Sequence, residues 1–294
     1  MREAPRAEVA LPTNLADMAA RDAEIAAWVA HVDDVVHTAA QRWSLQLGPP
    51  FQPGGQCSWV APAIDADGTD YALKVGYRHD EALDEAAGLR AWKGAGAVLL
   101  HDAYTDHDTC ALLLERCRPG AALASVLPAT EQDVVVADLL RRLWITPPPG
   151  HSFRTLQSMC DTWAAEFDGR RDVTGLDPGL GRIGVELFVD LPRTAPRQVL
   201  LCTDLHAENI LRAERMPWLA IDPKPFVGDP AYDVLQHLLN IDRLDDDPAA
   251  SAHRMADLLE LDADRVMQWL FARCVLESRH QPRLGAIATV LAPQ

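Results

Sequence analysis

Between residues 15 and 46, apolar side chains recur at roughly helical spacing, at Ile25, Trp28, Val29, Val32, Val36 and Trp43. The pattern predicts one or two amphipathic helices ending at Gly48, with Pro49-Pro50 as the breaker. Two β-rich runs follow, CSWVAPAI and YALKVGY, around an Asp67-Gly68 turn signal, and together they predict a hairpin. Residues 80–93 (DEALDEAAGLRAWK) carry the Ala, Leu and Glu of a helix. GAGAVLLH and CALLLERC then predict two further strands. After PGAAL the pattern changes. Residues 131–170 predict helices interrupted by TPPPGHS, 198–222 predict strand, loop and strand, and helices dominate from Ala231 onward. The expected organisation is α+β in two parts: residues 1–117, β-rich with N-terminal helices and one central helix, then residues 118–294, mainly helical. There is no internal repeat and no low-complexity linker.

Composition narrows the classes. No window is apolar for eighteen residues, and the N-terminus lacks the charged-then-apolar layout of a signal peptide, so a soluble cytoplasmic protein is expected, with no membrane role. Six cysteines (57, 110, 117, 160, 202, 274) include no CxxC pair and no finger-like spacing with His, so they read as thiols of a reducing compartment. A formal net charge of −16 argues against nucleic acid, whose phosphates demand basic patches. It suits a cationic small molecule, and it equally serves solubility alone. Of 27 basic residues only Lys74, Lys93 and Lys224 are lysine, so each invites a reason. Nothing in the chain calls for an obligate protein partner.

The chemistry concentrates in CTDLHAENIL (202–211), a polar cluster held between the apolar runs QVLL and ILRA. Asp204 and Asn209 lie five apart, and Asp222 follows 18 residues after Asp204, at a Pro that ends the run PWLAI. An acid, an amide and a second acid brought together can hold Mg²⁺ and orient a hydroxyl. The same residues also suit turns and caps. Gly54 and Gly55 in QPGGQCSW could let backbone approach phosphates closely. GAGAV (94–98) lacks the third glycine of a dinucleotide fingerprint, and no GxxxxGK[ST] loop exists. DADG lacks the remaining ligands of an EF-hand.

DLHAEN resembles the catalytic loop of eukaryotic-type protein kinases and aminoglycoside phosphotransferases. WLAIDPKPFVGDPAYD, the HLLN–R stretch at 237–243 and WLFARCVLES (269–278) are similar, more narrowly, to the aminoglycoside/hydroxyurea kinases, which include streptomycin 6-kinases. The resemblance runs from about Trp43 to the C-terminus. It implies a two-lobed protein-kinase-like fold using ATP and Mg²⁺, with Asp204 as catalytic base and Asn209 and Asp222 as metal ligands. Lys74 would hold the α/β phosphates, and Glu85 would hold Lys74, with Glu81 one turn away as the competing choice. LLLERCRPG (112–120) resembles the hinge, with backbone around Glu115 and Cys117 pairing with adenine. His206 and Lys224 have two readings each, phosphate contact or structural bonding.

Cys202-Thr203 stands where many phosphotransferases have His-Gly, which puts the geometry of the loop in question more than its chemistry. DPKP replaces the DFG of protein kinases, and Asp222 and Asp233 are too close for a peptide-docking activation loop, so a protein substrate is not expected. Asp229 and Asp233 read as a cap and a loop anchor, and WLFARC reads as core. The implied acceptor is an aminoglycoside such as streptomycin, or hydroxyurea, with inactivation as the result. A housekeeping sugar or amino-alcohol kinase and a nucleotide-binding pseudokinase are the rivals. The acidic stretches 161–172 and 241–248 suit either a cationic acceptor pocket or solvated helix ends.

Overall fold

The computed structural model describes residues 9–168 and 176–293. The chain divides into two compact units: Met1–Gly94 with Val98–Arg118, and Ala95–Ala97 with Pro119–Gln294.

The first unit is built on a five-stranded antiparallel sheet. Its strands are β1 (Gln46–Leu47), β2 (Ser58–Ile64), β3 (Asp70–Tyr77), β4 (Leu100–Asp106) and β5 (Thr109–Glu115), in the order β1-β2-β3-β5-β4. The period-two alternation of strands gives each face its own chemistry. Trp59, Ala61 and Ala63 of β2, with Leu73 and Val75 of β3, pack in one core with Leu15, Ile25, Trp28, Val32 and Val36 of the N-terminal helices. Lys74, between Leu73 and Val75, therefore faces the other way. The predicted hairpin is present: β2 pairs β3 from Ser58↔Gly76 to Ile64↔Asp70, with Gly68 at φ 81° in the turn. Asp65 Oδ1 accepts from the Asp67 and Thr69 N–H groups and closes that turn.

Three expectations need correction. The N-terminal segment forms three helices, Thr13–Ala19, Ala23–Val29 and Val32–Arg42, rather than one or two. Asp22 restarts the chain by accepting from the Glu24 and Ile25 N–H groups. The helix predicted over 80–93 is shorter: a 3₁₀ turn Asp80–Ala82 precedes the helix Glu85–Trp92. GAGAV is not strand. Gly94 and Gly96 sit at φ 80° and 90°, Ala97 bridges Ala220 in the second unit, and β4 begins only at Leu100.

The second unit is mainly helical with two small ribbons. β6 (Val199–Leu201) pairs β9 (Phe226–Gly228), and β7 (Ile210–Arg212) pairs β8 (Trp218–Ala220), so the predicted strand–loop–strand contains three short strands. The helix Ala263–Glu277 runs through the core with Trp269, Leu270, Phe271, Cys274 and Val275 buried, as WLFARC suggested. Pro178–Asp190 crosses it closely: a Cβ on Gly184 would meet Val275 Cβ at 2.6 Å. All six cysteines are free thiols. No helix among the described residues is long and apolar enough to cross a membrane.

Candidate active site

Each unit carries its own share of the singled-out residues. In the first, Lys74 projects from β3, and its ammonium donates to both Glu85 oxygens at 2.8 and 2.7 Å. Both side chains are largely enclosed, 12% and 6% exposed. Glu85 opens the Glu85–Trp92 helix, where a carboxylate is also favoured by the helix N-terminus. The side chain of Glu81 lies outside the described residues.

Gly54 and Gly55 precede β2. Gly54 has φ 76°, and a Cβ there would meet Pro12 Cβ at 2.4 Å. Its carbonyl accepts from Asn14 Nδ2 at 2.8 Å, and Pro53 O accepts from the Asn14 N–H at 3.0 Å. The need for glycine at 54 thus arises from the chain's own N-terminal segment. A Cβ on Gly55 would meet Ser58 Oγ at 2.7 Å. At the end of β5, Glu115 uses its own N–H and its Oε2 to close on the carbonyl and N–H of Leu99, at 2.8 and 2.9 Å. Its side chain is therefore a sheet-closing group. Cys117 is buried two residues on.

In the second unit, the turn after β6 bonds Asp204 to Asn209 and Asn209 to Ile221, the residue before Asp222. Asn209 Nδ2 donates to the Asp204 carbonyl at 3.1 Å, and the Asn209 carbonyl accepts from the Ile221 N–H at 2.9 Å. Asp222 follows at φ 52°, two residues past the end of β8. Lys224 Nζ lies 3.3 Å from Asp204 Oδ2. Asp233, fully buried, anchors the loop by accepting from Trp144 Nε1 at 2.9 Å and from the Cys202 and Thr203 N–H groups at 3.0 and 2.5 Å. Burial pushes its carboxyl up to about 6 against those three donors. Asp229 is no helix cap. It accepts from the Ala231 N–H at 3.1 Å, Arg265 Nε at 2.6 Å and Trp269 Nε1 at 2.7 Å, tying the GDPAYD turn to the central helix.

Thr203 resolves the question raised by the missing His-Gly. It occupies the left-handed region at φ 53°, where a β-branched residue is strained by about 1–3 kcal/mol. Its hydroxyl donates to the Lys224 carbonyl at 2.5 Å, a bond glycine cannot make. Thr203→Val keeps the strain and removes that bond, so a loss of about 1–3 kcal/mol is expected in denaturant unfolding. Thr203→Gly relaxes the backbone while losing the same bond, and is expected to be milder.

Burial raises the Asp204 carboxyl above the ordinary range. Lys224 and His206 pull it back, and the Asp222 charge adds to the rise. His206 is lowered, first by burial, against the neighbouring Asp204 and Glu208. Its carbonyl accepts from the Asn209 N–H at 2.9 Å, so at least its backbone serves the loop.

One residue passed over in the sequence ties the helices of this unit together. Asp133, fully buried, accepts from His237 Nε2 at 2.9 Å, Arg243 Nη2 at 2.5 Å and Arg254 Nε at 2.6 Å. It lies on the buried stripe of the Ala129–Leu143 helix with Val136, Ala137 and Leu140, so an acid at an apolar position was the available signal.

A sheet unit with a buried strand-lysine to helix-glutamate pair, and a helical unit with an Asp–Asn–Asp loop, define a kinase-like phosphotransferase. Solved structures share this fold: the aminoglycoside phosphotransferase APH(4)-Ia, solved as a ternary complex with ADP and hygromycin B, aligns at TM-score 0.58 and 14% identity over 90% of this chain and 100% of that one. The macrolide 2'-phosphotransferase MphH of Brachybacterium faecium aligns at 0.56 and 17%, over 89% and 98%. The profile of the aminoglycoside/hydroxyurea antibiotic resistance kinase family matches residues 42–285, and the chain belongs to that family. It is 36% identical over 274 residues to streptomycin 6-kinase of Streptomyces griseus, covering 90% of this chain and 88% of that protein. Hydroxyurea phosphotransferase of Kitasatospora aureofaciens is 35% identical over 259 residues, covering 84% and 72%. The protein is accordingly an ATP-dependent phosphotransferase acting on hydroxyl groups.

Proposed function

We propose that the protein transfers the γ-phosphate of ATP to a hydroxyl of an aminoglycoside of the streptomycin type, or to hydroxyurea, and so inactivates it. The observation that carries this reading is the loop that bonds Asp204 to Asn209, and Asn209 to the residue before Asp222, in a chain 36% identical to a streptomycin 6-kinase. Asp204 accepts or orients the proton of the acceptor hydroxyl. Lys74, held by Glu85, takes the α/β phosphates, and Gly54 and Gly55 present backbone to them. Backbone groups at Glu115 and Cys117 are assigned to adenine.

The donor set fits Mg²⁺. Asn209 spends its Nδ2 on the Asp204 carbonyl, so Oδ1 is the amide atom for a cation, and Asp222 adds a carboxylate. Two hard oxygen donors suit an ion that arrives with phosphate oxygens and waters rather than one caged by protein. Mg²⁺ held by Asn209 and Asp222 would neutralise charge on the phosphates.

The test is ATP consumption by the purified protein with Mg²⁺ across streptomycin, other aminoglycosides, hydroxyurea and simple sugars. Turnover with streptomycin or hydroxyurea is expected. Turnover confined to sugars would reassign the acceptor, and turnover with none would remove the reading. Lys74→Met is expected to lower kcat/KM for ATP by about 10- to 100-fold, from the ~1.5–3 kcal/mol of a charge-assisted hydrogen bond. Glu85→Gln, which keeps the side chain's shape, should move the same parameter in the same direction.

A further inference from the structure

We propose that Lys224 is a positioning residue for Asp204, fixing the carboxylate through Oδ2 before any acceptor arrives, rather than a ligand of the nucleotide phosphates. The proposal rests on the reading of Asp204 as the base. It is carried by three contacts that stitch the 202–204 turn to the 222–224 turn. The Lys224 N–H donates to the Cys202 carbonyl at 2.9 Å, and the Thr203 hydroxyl donates to the Lys224 carbonyl at 2.5 Å. Lys224 Nζ then reaches Asp204 Oδ2 at 3.3 Å. Both backbone groups of Lys224 are thus committed to the two residues directly before Asp204.

The lysine's neighbours reinforce this. Pro223 and Pro225 restrict φ on either side of it, and both are buried. Thr203 holds its left-handed backbone while donating to the Lys224 carbonyl. Asp233 clamps the other side of the turn through the Cys202 and Thr203 N–H groups. The base therefore stands on a turn held from two directions, with its side chain held by the same residue that bonds Cys202 and Thr203 just before it. In a chain with 27 basic residues, of which three are lysine, a compact single ammonium sits here. It meets the Asp204 carboxylate at Oδ2. Oδ1 is the oxygen assigned to the acceptor hydroxyl.

Lys224→Met keeps the length of the side chain and removes its charge. The expected result is a 10- to 100-fold fall in kcat, the scale of a misplaced catalytic group, with KM for ATP and the affinity for ADP within about twofold of native. A rise of tenfold or more in KM for ATP or in ADP dissociation, with kcat little changed, would make Lys224 a phosphate ligand and overturn the proposal. Unchanged kcat and KM would overturn it too. Asp204→Ala measured alongside separates the two layers of inference: if that variant keeps its turnover, the reading of the base fails rather than that of its positioner. A second measurement does not depend on turnover. Urea midpoints of Lys224→Met, Asp204→Asn and the double variant should be non-additive, the double variant falling no further than the worse single one. Strict additivity would overturn the pairing.

Discussion

Acceptor-dependent phosphate transfer by an Asp204→Ala variant is expected to fall about 10²- to 10⁴-fold, the contribution of a positioned general base. The loss should lie in kcat, with KM for ATP close to native, because the bonds that shape the loop use backbone atoms that alanine keeps. Asn209 Nδ2 still finds the carbonyl of residue 204, and Asp233 still holds the Cys202 and Thr203 N–H groups. Lys224 loses Oδ2, but its side chain is 32% exposed, so water can take its ammonium without unfolding the turn. Steady-state kinetics with the best acceptor, beside a thermal melt to show that the fold persists, checks this. Turnover within threefold of native would take Asp204 out of the chemistry.

The largest effect on stability is expected at Asp133, far along the chain from every proposed reacting group. Asp133→Ala should cost about 3–5 kcal/mol, the penalty for stripping the partner from buried charges. Three helices lose their common acceptor at once: Leu235–Leu239 through His237, Arg243–Asp246 through Arg243, and Pro248–Leu259 through Arg254. The three contacts also set a pH dependence. Burial opposes ionisation of Asp133, but His237, Arg254 and Arg243 overcome it and hold the carboxyl below its ordinary value. A carboxylate depressed in the folded state stabilises above its unfolded pKa of about 3.9 and loses that contribution as the pH falls below it. Native protein should therefore lose stability on acidification in a limb that Asp133→Asn lacks. Denaturant midpoints between pH 3 and 7 for both proteins test the slope, and parallel curves would assign the acid limb to other carboxylates.

Much of the fold was legible because its elements obey simple periods. The alternation in YALKVGY placed Lys74 opposite Leu73 and Val75, and the hairpin turned at Asp67-Gly68 where a positive φ was needed. The kinase resemblance implied Glu85 as the partner of Lys74, with Glu81 as the competing choice, and Lys74 and Glu85 do meet. Their chemical role, like that of the Asp204 set, is proposed. GAGAV misled because a short apolar run with glycines has no period to read, and its positive φ angles turn it away from the sheet. Asp133 escaped notice because an acid within an amphipathic helix is ordinarily solvent-facing, and its partners lie more than 100 residues away. Thr203 was hidden by its own chemistry. Threonine argues against a left-handed backbone, and only the contact with Lys224 explains its presence there.

The N-terminal helices bear on where this protein begins as a folding unit. The family profile starts at residue 42, yet Leu15, Ile25, Trp28 and Val36 fill one face of the sheet, and Asn14 ties down the Pro53 and Gly54 carbonyls. Trp28 Nε1 also donates to Thr109 Oγ1 on β5. A truncation at the first residue of the profile would bare an apolar sheet face and cut the strap from the glycine turn. The edge of the profile and physical autonomy draw different borders on this chain, and a gene fragment meant to express a working enzyme should follow the second.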